Sequence, residues 1–298
     1  MTKAQPSMRD IAAAQEAHAN ISLRLASRKF YGIARRLHFA SGSVNLLLAL
    51  GSPFVLVYRP DWGPFIGAIA GGWLFVSRQL LSPFTERFQR RGATVQELFD
   101  CSVFGLQWND ALARPIALED IAAASRKRKK TNEVENWYPA EGDAAWPTSV
   151  LVCQRSNAVW GRRQHRLYGY LLRGTAILWG IVGIVVAITH DASTADYLVT
   201  VALPSLPALL DASELADMHM AAANSRERLE ERVDSLLQGG EPESQDLRDI
   251  QDQLFNMREI PSIVPKWFYR LVRRRYETDM RDAAKQLQNK GGQSSNGA

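Results

Sequence analysis

The chain has 298 residues with 46% hydrophobic and 22% charged content, a length and balance that suit one or two folded domains, and its 36 Lys plus Arg against 31 Asp plus Glu give a net charge of +5. Two cysteines, Cys101 and Cys153, exclude a disulfide framework, and five scattered histidines leave a zinc site short of ligands. The mean hydropathy of -0.21 hides a segregation, because the long apolar runs fall in two blocks, residues 37–84 and 168–210, with charge-rich sequence around them.

Residues 1–36 are polar, carry Asp10 and Glu16 beside several arginines and have no apolar core before Leu37, so they read as a cytosolic N-terminal helix and not as a secretory signal. The run Leu37–Tyr58 is 22 residues long without a formally charged side chain, and His38 and Asn45 are its strongly polar members. At about 1.5 Å per residue it spans a hydrocarbon core of about 30 Å. A second span runs from Trp62 through Val76 to Phe84, with Arg78 snorkelling or facing the interior. Within it Gly63, Gly67 and Gly71 recur every four residues and bare one helix face for close packing, against the first span or between subunits.

Residues 85–166 form an insert too long for a linker and rich in aromatics (Trp108, Trp137, Tyr138, Trp146, Trp160), so it is expected to fold. Inside it residues 117–130 read as a helix running into Arg126, Lys127, Arg128, Lys129 and Lys130. Such a basic run suits solvent, anionic headgroups or nucleotide phosphates. No helix-turn-helix or finger spacing accompanies it, so DNA is not an expected partner.

The third span, Leu167–Thr189, has Arg173 near its start, and the fourth, Ala192–Leu210, carries Asp196 near one end and is interrupted by Pro204 and Pro207. Residues 211–298 read as a cytosolic helical region. Leu229, Val233 and Leu236 make an apolar stripe before Gly239-Gly240. After Pro265, KWFYRLVRRRYETDM reads as an amphipathic helix that lies on a membrane surface or docks on the cytosolic domain, and GGQSSNGA as a disordered tail. Basic residues crowd one side of the first three spans: Arg24, Arg28, Lys29, Arg35 and Arg36 before the first, Arg78, Arg87, Arg90 and Arg91 around or after the exit of the second, Arg162, Arg163, Arg166 and Arg173 at the entrance of the third. The short connections RPDWG and HDASTAD hold one basic residue, Arg59. The Lys/Arg bias therefore places both termini in the cytoplasm. The expected fold class is an all-α membrane protein of two transmembrane helical hairpins (37–84 and 167–210), with a mainly helical cytosolic domain formed by the insert and the C-terminal helices.

No metalloprotease helix, phosphate-binding P-loop, nucleophile elbow or dinucleotide fingerprint is present. Glu97, Asp100 and Asp110 could form an acid–base pair, but ELFDCSVFGLQW around them reads as a packed apolar segment. An enzyme is not expected, nor a cofactor or metal.

At these same segments a resemblance emerges. The string QELFDCSVFGLQWND (with Phe99, Asp100, Cys101, Trp108 and Asn109), the triplet Trp137-Tyr138-Pro139, LVCQRSNAVWGRR (with Cys153 and Gln154) and the closing PKWFYRLVRRRYETDM resemble the S-4TM family, the SMODS-associated four-transmembrane group of pore-forming effectors. That resemblance covers nearly the whole chain. It implies an inner-membrane, homo-oligomeric effector of a prokaryotic anti-phage system, functionally linked to a nucleotidyltransferase whose cyclic oligonucleotide activates it to permeabilise the lipid bilayer. An anionic messenger of that kind calls for guanidinium groups and aromatic stacking partners, which Arg155, Asn157, Trp160, Arg162 and Arg163 supply within nine positions. The same arginines serve equally as topology determinants or as braces of the domain. A regulated ion channel and a membrane-anchored sensor or scaffold remain alternative readings.

Overall fold

The computed structural model describes residues 5–59, 62–126, 135–138, 142–189, 193–194, 203–239 and 242–271, and among them there is no strand. Ser7 opens α1 (Met8–Gln15) with a reciprocal cap: its hydroxyl accepts from the Asp10 N–H while the Asp10 carboxylate accepts from the Ser7 N–H. The cap aims Met8 and Ile11 into the core. Helix α2 (His18–Tyr58) then runs unbroken for 41 residues, or about 60 Å at 1.5 Å per residue.

The chain returns through α3 (Gly63–Val76), a π-helical turn (Ser77–Leu81) and α4 (Ser82–Phe104). Proline explains the turn. Pro83 has no N–H to give and its ring would strike the carbonyl of residue 79; the chain widens by one residue there, so that the Ser82 N–H bonds the Ser77 carbonyl. At the far end Gly105 stops α4 in the left-handed conformation (φ 65°). Between these ends α4 lies against α2 at a glycine: a Cβ on Gly92 would sit 2.7 Å from Cδ1 of Tyr31, and Ser27 donates to the Gly92 carbonyl at 3.1 Å.

A short α5 (Leu118–Ser125) packs on α2; the predicted helix over 117–130 therefore stops at Ser125 before its basic run, and residues 127–130 lie outside the described residues. Helix α6 (Thr148–Thr189, 42 residues) and α7 (Leu203–Gly239, 37 residues) form the second hairpin, with Pro204 and Pro207 confined to the first two turns of α7. Helix α8 (Ser244–Glu259) closes the body and a helical turn over 266–271 follows.

The core belongs to one end of this bundle. Phe99, Val103 and Phe104 of α4, Val150–Cys153 of α6, Leu229 and Val233 of α7, and Leu247, Ile250 and Leu254 of α8 close around Tyr138. Toward the hairpin tips the pattern inverts: Leu46, Leu47, Phe65, Ile69, Phe75, Ile177, Leu178, Ile181, Val185 and Ile188 are all exposed. Among the described residues α6 is the one helix long and apolar enough to cross a membrane, and 17% of its apolar stretch is buried, which is not the condition of a soluble protein's core helix.

Candidate functional site

Beneath the apolar core lies a buried ionic centre. Asp100, fully buried on α4, accepts from the Tyr138 hydroxyl at 2.7 Å, from Gln251 Nε2 at 2.9 Å and from Arg258 Nη1 at 2.5 Å. Glu97, one turn earlier, accepts from Arg248 Nη2 at 2.5 Å and from Gln251 Nε2 at 2.8 Å. Two buried carboxylates thus meet two guanidiniums, and Arg248 pairs in addition with Asp252 at 2.6 Å. Burial and the nearby Asp100 raise the Glu97 carboxyl, against the pull of both arginines. Burial works against the charge on Arg258, yet its pairing with Asp100 keeps it above the usual arginine range. Burial, with Asp100 beside it, puts the Tyr138 phenol far above its ordinary value. Cys101 touches this centre through Arg248 Nη1 at 3.2 Å, and its thiol is pushed up to about 12 by burial first and Glu97 second.

Of the predicted nucleotide-binding cations, Arg155 and Arg162 fall instead on the seam between α6 and α7, each facing carboxylates. Arg155 Nε meets Asp234 at 2.5 Å and its Nη2 meets Glu230 at 3.1 Å. Arg162 pairs with Glu227 and Glu230, Arg166 with Glu227, and Arg173 with Asp217. Half-buried Arg163 follows on α6. Trp160 stacks edge-on against Tyr269 of the C-terminal turn, which Phe268 anchors on Tyr168. Trp267 and Leu271 on that turn stay exposed. The docked alternative thus describes the near face of the turn, while its far face is apolar and uncovered.

The motif segments at 96–110, 137–138 and 153–154 all end at the ionic centre, and the family description "SMODS-associating 4TM effector domain" matches residues 9–287. The chain belongs to the SMODS-associating 4TM effector family. A probable CBASS effector molecule of Bacillus cereus (strain VD146) is 26% identical over 278 residues, covering 89% of this chain and 94% of the relative. No solved structure matches.

In this SMODS-associating 4TM effector the remaining motif residues have defined stations. Phe99 stacks on the Tyr138 ring at 6.2 Å, and Trp137 lies under the Arg24 guanidinium at 3.4 Å. The Tyr138 N–H donates to the Gln15 side chain of α1 at 2.9 Å. Trp108 donates to the Ala113 carbonyl, and Asn109 to Asp252 of α8 at 2.7 Å. Gln154 donates to the Leu247 carbonyl and to Gln251, and Cys153 is fully buried beside it. Pro139 lies outside the described residues. A Cβ added at Gly71 would meet nothing within 4 Å, whereas the surroundings of Gly63 and Gly67 lie outside the described residues.

Sequence reading passed over α8. Its signal was there: Leu247, Gln251, Leu254 and Arg258 share one helical stripe, so two polar residues occupy core register and must find buried partners. It also missed a node joining the hairpins, where Asn45 donates to Asp211 at 3.1 Å and accepts from Trp73 Nε1 at 2.9 Å, with Arg78 at 3.8 Å from Asp211.

Proposed function

We propose that this family member is the membrane-permeabilising effector of an anti-phage defence system, inserted in the inner membrane by four helical segments with both termini in the cytoplasm. A cyclic oligonucleotide from a partner nucleotidyltransferase binds the helical body, and the hairpins respond by assembling with other copies into a pore. The observation that carries this reading is continuity. Helices α2, α6 and α7 each run without interruption from the buried core to exposed apolar tips, so a rearrangement in the body reaches the tips directly.

Several features support the details. The exposed apolar surface of the tips is what lipid covers, and the bare surroundings of Gly71 suit packing between subunits. Both buried carboxylates of the centre are bonded to arginines, which supports a non-enzymatic role. If the messenger uses Arg155 and Arg162, its phosphates compete with Asp234, Glu230 and Glu227 for the same guanidiniums and loosen the α6–α7 seam. A ligand that prefers the loosened state shifts the population toward it.

The test is dye release from liposomes that contain the purified protein, with and without a panel of cyclic oligonucleotides. Release that depends on one nucleotide is the expected result. Silence with every nucleotide, in protein shown by protease protection to be inserted, overturns the ligand-gated pore.

A further inference from the structure

Arg226 stands outside the ion pairs just described. It is 7% exposed, and among the described residues it has no carboxylate within ion-pair distance; its guanidinium donates to the Ala222 carbonyl at 3.0 Å and the Met257 carbonyl at 3.4 Å. The carboxylates of the ionic centre, Glu97, Asp100 and Asp252, are taken by Arg248 and Arg258, so Arg226 is a buried cation without a countercharge of its own, a costly arrangement unless an anion joins it. Burial first, and then Arg258, lowers it to about 10.

The side chain is also guided. It crosses from α7 over Gly161 of α6, where an added Cβ would lie 2.6 Å from Arg226 Cδ. Glycine at 161 leaves the path open. Beyond it lies a cavity of about 180 Å³ lined by polar groups from five elements, among them Gln96, Asn157, Arg226, Arg258 and Ser262. Arg258 spends Nη1 on Asp100, while its buried Nη2 has no hydrogen-bond partner among the described residues. Guanidinium and amide donors converge here, and both carboxylates of the centre stand behind Arg258: Asp100 at 2.5 Å and Glu97 at 3.9 Å from its Nη1. Whole organic ligands occupy pockets of roughly 300 Å³ and more. This volume suits one group.

We propose that the cavity between Arg226 and Arg258 binds a single phosphate group, with Asn157 and Gln96 as neutral hydrogen-bonding partners. The bound group gives Arg226 a countercharge and ties α7 to α8 and α4 through one anion. The group has two sources, free orthophosphate or one phosphate of the activating nucleotide. The second source rests on the messenger reading above and moves its anchor from the α6–α7 seam to the floor between the hairpins.

The experiment is a melting series on the full-length protein in detergent, with orthophosphate exchanged for chloride at constant ionic strength and, separately, with each cyclic oligonucleotide. Saturating phosphate raises the melting midpoint by about 5 °C. Arg226→Met melts at or above the parent without phosphate, because the uncompensated charge is gone, and gains nothing when phosphate is added. Asn157→Leu, which fills the cavity and leaves both arginines in place, also loses the response. If Arg226 serves only to brace its two carbonyls, Arg226→Met melts lower and keeps the phosphate response, which overturns the proposal. So does a parent protein indifferent to every phosphate compound. Stabilisation by orthophosphate with none by any cyclic oligonucleotide sustains the site and removes the messenger as its source.

Discussion

Replacing Asp100 by Asn tests the ionic centre most sharply. The carboxylate is fully buried and accepts three hydrogen bonds, from Tyr138, Gln251 and Arg258. Asparagine keeps one acceptor oxygen, sets an NH₂ against a donor, and leaves Arg258 without its close countercharge. Breaking a buried ion pair from one side costs about 3–5 kcal/mol, because the surviving charge stays buried. For a chain of this size that corresponds to a fall of about 10 °C in the melting midpoint. The assay is thermal unfolding in detergent followed by helical circular dichroism. The double variant Asp100→Leu with Arg258→Met removes both charges and is expected to recover at least half of the loss. A single variant that melts within about 2 °C of the parent refutes the reasoning, since the pair would then contribute no more than an exposed salt bridge.

Three further outcomes follow from the same contacts. Gly92→Ala drives a methyl into the Tyr31 ring and should cost about 1–3 kcal/mol, read as a lower denaturation midpoint, whereas Gly174→Ala, with nothing within 4 Å, should not. His165 and His219 touch Nδ1 to Nδ1 at 2.7 Å between α6 and α7, ringed by Tyr168, Arg226 and, on α2, His38; burial first, then neighbouring cationic groups, lowers both, His219 to about 4. Folded values below the unfolded value mean that their stabilisation is complete above about pH 6.5 and is lost as pH falls toward 4, by about 3 kcal/mol for His219; the slope should flatten in His219→Gln, which separates it from Glu97, whose raised carboxyl acts with the opposite sign. Cys101 and Cys153, both buried with thiols pushed up by burial, should ignore a disulfide-exchange reagent at pH 8 and react fully once the protein is denatured.

Helices were legible because their determinants are local. The uncharged runs Leu37–Tyr58 and Leu167–Thr189 lie within α2 and α6, whereas Ser7, Pro83 and Gly105, which cap α1, widen the chain at Ser77–Leu81 and stop α4, are equally local signals that the sequence reading did not single out. Arg155 and Arg162 were legible as cations, and a gap of 65 to 79 positions hid the carboxylates that meet them. The motif strings singled out Asp100, Tyr138 and Gln154, yet a string does not say that all three close on one point. What joins them is α8, whose Gln251 and Arg258 look like ordinary polar residues until the stripe they share with Leu247 and Leu254 is drawn.

Helix α8 is also where the two hairpins are held in register. Arg248, Gln251 and Arg258 bond to α4 of the first hairpin, while Gln251 and the Leu247 carbonyl bond to Gln154 of α6, and the Met257 carbonyl takes Arg226 of α7. Nearer the tips, the Asn45–Asp211 contact forms a second bracket between α2 and α7. Hairpins clamped at two heights do not rock as rigid bodies unless one clamp yields. The outer bracket is a half-exposed hydrogen bond with a long Arg78 contact and is the weaker of the two. The inner one is buried and ion-paired, and close-packed elements of this kind rearrange in discrete steps and do not deform continuously. A change of charge at Arg226 falls on the inner clamp at a place where its electrostatics are incomplete. At the proposed phosphate site a ligand acts where no carboxylate has to leave, while the same ligand on the part-buried α6–α7 seam would have to displace Asp234, Glu230 and Glu227 one by one.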